Sequence, residues 1–169
     1  MSSRDEAGPP PAQRPSLPAS YGISPSASGL LTWDFVDRRL AQARNYWVAT
    51  TRPDGHPHVS PVWGLWLDHH FYFATGATSR KWRNLMANPA LIVHLESGDE
   101  VVILEGTAER VLDDDVLTRL DEAYEAKYGV NLLAGGEAPN PIVALRLHKA
   151  LAWLESDFPN TATRWLFDK

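Results

Sequence analysis

The stretch FYFATGATSRKWRNLMANPALIVHLE, residues 71–96, holds two apolar runs separated by a loop and a short polar segment. Four of its first five residues and five of its last seven are aromatic or apolar, so a strand is predicted at each end. Between the strands, Thr78 or Ser79 is a suitable cap for a helix over residues 79–88, and Pro89 ends that helix. The stretch therefore predicts a strand, a helix and a strand in close succession.

The predicted helix over residues 79–88 carries its positive charges at an unfavourable end. Arg80 and Lys81 lie in the first turn, where the helix dipole is positive, and each such mismatch costs about 0.3–1 kcal/mol at an exposed site. No acidic residue occurs from position 69 to position 95 to offset them. Because free N–H groups at a helix start attract anions, one interpretation is a phosphate site. The other is a solvated surface helix whose charges are tolerated.

Two further predicted helices show the opposite, favourable charge order. The segment at residues 32–44 has aspartates near its start and arginines near its end. The segment at residues 113–129 opens on three aspartates and closes on Lys127 and Gly129. Acids lead and bases trail in both, as the helix dipole prefers. The reversed order at residues 79–88 is therefore a local feature of that helix.

The rest of the chain after the first helix is rich in apolar strand-like segments. Asp54-Gly55 is a strong hairpin signal, and Pro61 and Gly64 indicate an irregularity where another group approaches the backbone closely. Short turns between strands require antiparallel pairing, and near-continuous apolar strands favour a closed or nearly closed barrel. We therefore predict a mainly β fold with a few helices. Strands are predicted at residues 45–51, 58–67, 71–75, 90–96, 101–112 and 141–155, with a last segment at 161–167.

Composition narrows the function classes. The chain has 169 residues, a net charge of −5 and no cysteine. The negative charge disfavours nucleic-acid binding, and the absence of cysteine excludes disulfides and a thiolate nucleophile. No apolar run approaches the roughly 20 residues that span a bilayer, and the first residues lack the apolar region of a signal peptide. We expect a cytoplasmic protein that binds neither nucleic acid nor membrane.

Residues 1–28 differ from the rest in composition. They contain six prolines and seven serines with few large apolar groups. Such a segment cannot bury enough surface to offset the entropy of ordering, so it is predicted to be a flexible, dispensable tail before a folded domain at residues 29–169. Six histidines occur without a metal-ligand motif, so no metal site is expected. No carboxylate pair or Ser-His-Asp order marks catalytic residues, which leaves them unknown.

The order of aromatic strand, Ser-Arg-Lys, short helix ending in Asn-Pro, and apolar strand resembles the core of one protein family. It is similar to the pyridoxamine 5′-phosphate oxidase-like flavoproteins, the FMN-binding split barrel superfamily, which includes actinobacterial flavin and deazaflavin oxidoreductases. The upstream ATTRPDGHPHVSPVWGLW (residues 49–66) resembles the family's first hairpin, and TATRWLF (161–167) resembles the end of one actinobacterial branch. The likeness covers about residues 32–167. It implies a six-stranded antiparallel split β-barrel with Greek-key connections.

The resemblance also implies a cofactor site and a homodimer that builds this site at the subunit interface. The positions that match phosphate-contacting residues of the family are Ser79, Arg80 and Lys81. The positions that match residues lining the isoalloxazine ring or the ribityl chain are Val62, Trp63, Ala74 and Thr75. The positions that would reach in from the partner subunit are Trp153 and Arg164.

By the same resemblance, we expect an FMN-dependent oxidoreductase that transfers hydride to or from an unidentified small organic substrate. The second strand lacks the cations of the vitamin B6 oxidases, and their C-terminal Arg-Leu-His element is replaced by TRWLF, which disfavours that activity. One alternative is a reductase that uses the deazaflavin coenzyme F-420. Another is a non-catalytic carrier of flavin or haem, in which His94 or His148 would be the axial ligand.

Overall fold

The computed structural model of the protein describes residues 8–133 and 140–167. Within these residues the chain forms eight β-strands and four α-helices, which confirms the prediction of a mainly β fold with a few helices. The strands are β1 (Asn45–Thr51), β2 (Pro57–Trp63), β3 (Leu65–Leu67), β4 (His70–Ala74), β5 (Ala90–His94), β6 (Glu100–Arg110), β7 (Ile142–Leu154) and β8 (Thr163–Leu166). The helices are α1 (Trp33–Gln42), α2 (Arg80–Ala87), α3 (Asp114–Tyr128) and α4 (Phe158–Thr161).

The strands form one curled antiparallel sheet around an apolar core. Its order is β2-β1-β5-β6-β7-β4-β3, and β8 pairs with β7. Strand β4 returns to lie beside β7, next to three consecutive strands, as in a Greek key. Large side chains that are fully buried inside the curl include Tyr46, Phe71, Phe73 and Trp165. The antiparallel, barrel-like architecture is therefore as predicted.

The expected number of six strands is wrong, because the predicted strand at residues 58–67 is two strands. Strand β2 pairs with β1, whereas β3 pairs with β4, and Gly64 lies between them. A Cβ atom at Gly64 would lie 2.6 Å from the ring of Phe71 and 2.9 Å from the carbonyl oxygen of Tyr72. The chain changes its partner strand at Gly64, because only a residue without a Cβ atom can lie this close to Phe71 and Tyr72. The irregularity predicted at Gly64 is therefore confirmed. Strand β8, the final segment, completes the eight.

Local signals placed the turn and helix ends correctly. Gly55 of the β1–β2 hairpin has φ 85°, the left-handed region in which glycine is favoured. Helix α2 begins directly after Ser79, and α3 begins after Asp113 and ends before Gly129, which has φ 72°. Helix α4, which begins at Phe158, was not predicted.

The segment predicted to be a tail makes contacts with β8 and α4 where it is described. Gln13 and Arg164 exchange two backbone hydrogen bonds of 2.9 and 2.7 Å. The guanidinium of Arg14 donates to the carbonyl oxygens of Ser26, Ser28, Asn160 and Ala162. Residues 1–7 of the predicted tail lie outside the described residues, and the division into tail and domain stays a prediction.

Candidate functional site

The start of helix α2 is held by a small hydrogen-bond chain. The Oγ atom of Ser79 accepts from the backbone N–H of Trp82 at 3.1 Å, as an N-cap residue does. The Oγ1 atom of Thr75, a buried residue directly after β4, lies 2.9 Å from the same Ser79 oxygen. The end of β4 is thereby connected to the first turn of α2, and the cap has a fixed position.

The cations of α2 have no acidic partners. Within residues 8–133 and 140–167, none of the ion pairs involves Arg80, Lys81 or Arg83. Lys81 is half-buried, with its ammonium 5.9 Å from the centre of the Phe73 ring. Burial lowers the pKa of Lys81 below its ordinary value because the charged form loses hydration. A charged group kept half-buried without a carboxylate is suited to an incoming anion.

The β1–β2 hairpin brings further positive charge to the same place. The pKa of His58 on β2 is lowered first by burial and then by the positive charges of Arg52, Lys81 and Arg80. Three cations therefore lie close enough to His58 to disfavour a fourth positive charge. We call these four residues the cationic corner. It is formed by one end of the β1–β2 hairpin and the N-terminus of α2.

Buried polar atoms without partners among the described residues lie in the cationic corner and on the elements that form it. Asn84 on α2 is fully buried and donates its Nδ2 hydrogen to Thr50 Oγ1 at 2.9 Å, but its Oδ1 has no hydrogen-bond partner among the described residues. Ser60 Oγ and Arg52 Nε are also buried without a partner. Such atoms carry a free-energy penalty unless something bonds them. Two donors and one acceptor fit a ligand that carries both an anionic group and hydroxyl groups.

The other predicted site residues on strands β2 and β4 differ in orientation. Val62 is 9% exposed and belongs to the core, whereas the next residue, Trp63, is 39% exposed. Successive side chains of a strand point to opposite faces, so these two cannot present their side chains to the same side of the sheet. Ala74 is half-buried and packs against the cluster that contains Leu65. The roles of these residues in cofactor binding stay predictions.

Trp153 and Arg164 lie at another part of the barrel. Trp153, near the end of β7, makes an edge contact with Phe158 at 5.7 Å between ring centres. Arg164 on β8 has its Nε buried without a partner, and its Nη2 donates to Gln13 Oε1 at 3.4 Å. No hydrogen bond, ion pair or ring contact among the described residues joins either of them to the cationic corner. One chain alone does not bring the two groups of predicted residues together.

Four residues of the site were not assigned to it from sequence, namely Arg52, His58, Ser60 and Asn84. Arg52 precedes the Asp54-Gly55 turn, and His58 is one of six histidines that show no metal-ligand motif, so neither carries a local signal for this site. Asn84 lies in α2 between Arg83 and Leu85, and no pattern in the sequence marks it as buried. A buried amide usually has specific hydrogen-bond partners, and only the structure shows that Asn84 is buried.

The comparisons with known proteins agree with this architecture. The sequence model of the family described as "Pyridoxamine 5'-phosphate oxidase" matches residues 33–154. The chain belongs to this family. A pyridoxine/pyridoxamine 5'-phosphate oxidase of Gluconobacter oxydans (strain 621H) is 42% identical over 67 residues, which are 38% of this chain and 34% of that protein. The match to this relative therefore spans about a third of its length.

Solved structures confirm the split-barrel fold of this family member. The conserved hypothetical protein Rv2991 from Mycobacterium tuberculosis has a TM-score of 0.66 and 23% identity, over 78% of this chain and 90% of that one. A protein described as an F420 reductase has a TM-score of 0.53 and 24% identity, over 67% of this chain and 94% of that one. At these identities the likeness shows the fold alone. Among the described residues, no helix combines the length and apolarity needed to cross a bilayer.

Proposed function

We propose that this protein is an oxidoreductase that binds FMN, with the FMN phosphate in the cationic corner, and exchanges hydride with a small organic substrate. Membership of the pyridoxamine 5'-phosphate oxidase family supports a cofactor of this type. The observation that carries the proposal is the pair Arg80 and Lys81, which begin a helix without any acidic partner in the described part of the chain.

The residues of the corner would hold a phosphate in complementary ways. Lys81 and Arg80 supply charge-assisted hydrogen bonds, which are shorter and stronger than neutral ones. The Ser79 hydroxyl accepts from Trp82 N–H, and when Thr75 also donates to it, both lone pairs of Ser79 are used. Its own O–H is then free to donate to an anion at the start of α2.

Bound FMN would supply hydride exchange at its N5 position. The chain would bind and orient the cofactor. Buried Asn84 Oδ1 would accept a hydrogen bond from a ribityl hydroxyl, and Ser60 Oγ would donate one. Both side chains are fixed by the surrounding core, so they would cost little conformational entropy on binding.

The proposal includes a homodimer that completes the site with Trp153 and Arg164 of the second copy. The supporting feature is the sheet face opposite the core, where Val59 and Ile92 are 51% and 38% exposed. Both residues flank Ala49 in register, so they form one apolar patch. A cross-strand row on this face runs Pro61, Trp47, His94, Ile103, Leu151 and Arg164. Pairing of two such faces would carry Arg164 to the surface of another copy.

A second candidate is a reductase that uses coenzyme F-420. The observation that favours it is the exposed pair Arg80 and Arg83, one turn apart on α2 and without ion pairs in the described ranges. The phosphate and polyglutamate tail of F-420 would extend farther along this helix than FMN does. The F420 reductase with the same fold makes this cofactor a reasonable comparison.

Titration of the purified protein with FMN and with F-420, followed by absorbance and equilibrium dialysis, tests the proposal. We expect saturable binding of FMN with one site per chain and a perturbed flavin spectrum. Saturable binding of F-420 but not of FMN would favour the second candidate function over the first. Absence of saturable binding for both would refute a flavin-type function. Reoxidation of the bound, reduced cofactor by candidate acceptors then measures hydride transfer.

A further inference from the structure

A second group of cations lies on stacked aromatic rings at the opposite end of the β1–β2 pair. The rings of Trp63 and Tyr128 are stacked, with centres 4.8 Å apart and an interplanar angle of 7°. The guanidinium carbon of Arg44 lies 5.3 Å from the centre of the Trp63 ring and 5.6 Å from that of Tyr128. Tyr124 adds a third ring, 4.6 Å from Tyr128. We call Trp63, Tyr124 and Tyr128 the aromatic shelf.

Lys127 lies beside the aromatic shelf and is firmly positioned. Its Nζ donates to the Tyr46 hydroxyl at 2.9 Å and to the carbonyl oxygen of Gly64 at 3.1 Å. The Tyr128 hydroxyl also donates to the Gly64 carbonyl oxygen, at 2.7 Å. Lys127 is half-buried, and burial, followed by the positive charge of Arg44, lowers its pKa to about 8. Two like charges are therefore close together at this end of the sheet.

Neither cation is neutralised by a carboxylate. In residues 8–133 and 140–167, Arg44 and Lys127 take part in no ion pair, although the chain has 21 acidic and 16 basic residues. Hydrogen bonds account for the position of Lys127, whereas the described contacts of the Arg44 guanidinium are ring contacts. Two repelling charges next to flat rings favour a ligand that is both anionic and planar.

The aromatic shelf is separate from the cationic corner. Asn45 of β1 pairs with Trp63, whereas Thr51 at the other end of β1 pairs with Pro57, beside His58. Six residue steps along a strand span about 20 Å. One phosphate cannot contact both groups of cations, so the shelf requires a ligand group of its own.

We infer that Arg44 and Lys127 bind the carboxylate or phosphate of a flat, conjugated ligand whose ring lies on the aromatic shelf at Trp63. The inference deepens the proposed function and rests on it for one point only, that this ligand is the substrate of the oxidoreductase. Arg44 is suited to the role because a guanidinium presents a planar fork of donors to a carboxylate or phosphate.

Ligand titration monitored by NMR at the Trp63 indole N–H tests the inference on the full chain. The probes are 2-naphthoate, 2-naphthyl phosphate and the neutral 2-naphthamide, and the Trp63 signal is assigned with Trp63→Phe. At least one anionic probe is expected to shift that signal and to bind about tenfold or more tightly than the amide. The stronger of the two anions identifies the group that the site prefers. Equal affinity for anions and amide, or no shift of the Trp63 signal, overturns the inference.

Matched variants test whether anion affinity depends on the cations at the aromatic shelf or on positive charge elsewhere on the surface. Arg44→Gln is expected to lower affinity for the preferred anion about tenfold, whereas Arg38→Gln, an exposed arginine paired with Asp34, should leave it unchanged. Affinity is also expected to fall as the pH rises through the lowered pKa of Lys127, about 8, because the ammonium loses its charge. An unchanged affinity in Arg44→Gln contradicts the inference.

The same variants distinguish a failure here from a failure of the proposed function. Arg44→Gln should bind FMN like the wild type, since the phosphate is assigned to the other end of β1. A tenfold loss of FMN affinity in Arg44→Gln would assign Arg44 to the cofactor and overturn the inference. A protein that binds naphthoate at Trp63 but no flavin-type cofactor would refute the proposed function and leave the anion site standing.

Discussion

At the scale of single residues, both candidate sites share positive charge that has no carboxylate partner in the described part of the chain. Lys81 and Lys127 are each half-buried, and burial lowers the pKa of both. Half-buried charges without a carboxylate partner reduce the stability of the fold. Proteins commonly retain such destabilising groups where a ligand binds. Both proposals therefore assign a bound anion to a half-buried lysine.

The lowered pKa of Lys127 makes stability depend on pH. Its folded-state pKa is about 8 and its ordinary value is 10.5, so between these values the unfolded chain holds more protons. Stability then rises with pH across this window. From about pH 7.5 to 9.5, the urea midpoint of the wild type should increase relative to that of Lys127→Met. The contribution of tyrosine titration to the pH dependence is present in both proteins, so the comparison removes it. Parallel pH profiles would show that Lys127 is not perturbed.

Residue-level prediction from sequence succeeded where a local rule was broken. Arg80 and Lys81 stood out because the helix dipole disfavours them at that end, and the structure does place them there without acids. Arg52 and His58 broke no local rule, because they reach the start of α2 only through the folding of the hairpin against it. Sequence spacing does not encode such a contact.

At the scale of elements, the break between strands at Gly64 separates the pairing of β2 with β1 from the pairing of β3 with β4. It ends β2, starts β3, and supplies the carbonyl oxygen that Lys127 and Tyr128 hydrogen-bond. The sequence pattern predicted one strand because apolar residues continue through the break at residues 58–67. Periodicity reports which residues are apolar but not which strand is the neighbour, so the change of partner from β1 to β4 was not predictable.

Gly64→Ala is expected to destabilise the protein by about 1–3 kcal/mol, because the added methyl overpacks the core. The Cβ atom would lie 2.6 Å from the Phe71 ring. Gly98→Ala is the matched control, since its added Cβ meets nothing within 4 Å. Chemical denaturation measures the free energy of unfolding of both variants. Equal stability of the two variants would mean that the close approach at Gly64 is easily relaxed.

At the scale of the whole molecule, the sheet has an apolar face opposite its core. Large apolar side chains exposed there include Val59, Trp63, Ile92 and Leu166. The antiparallel barrel followed from the strand pattern and the family resemblance. The sheet order did not follow from the strand pattern alone, because long-range pairings such as β1 with β5 depend on packing of the complete chain.

A mixed dimer tests the proposed sharing of the site. Arg164→Ala and Lys81→Ala chains carrying different tags are combined, and the heterodimer is purified. If the site is shared, one site carries both defects and the other is intact, so half of the sites should bind FMN with wild-type affinity. If each chain builds its own site, every site in the heterodimer stays defective. A monomeric wild type in analytical ultracentrifugation would also contradict the proposal.

The measurement that tests the central claim most directly compares FMN with riboflavin, which lacks the phosphate, by equilibrium dialysis. The wild type should bind FMN at least about tenfold more tightly than riboflavin, a difference of about 1.4 kcal/mol. Lys81→Ala should lose about ten- to a hundredfold in FMN affinity, keep its riboflavin affinity and remain folded, whereas Arg38→Ala should match the wild type. Equal affinity of the wild type for FMN and riboflavin, or an equal loss of both in Lys81→Ala, would contradict the assignment of the cationic corner to the phosphate.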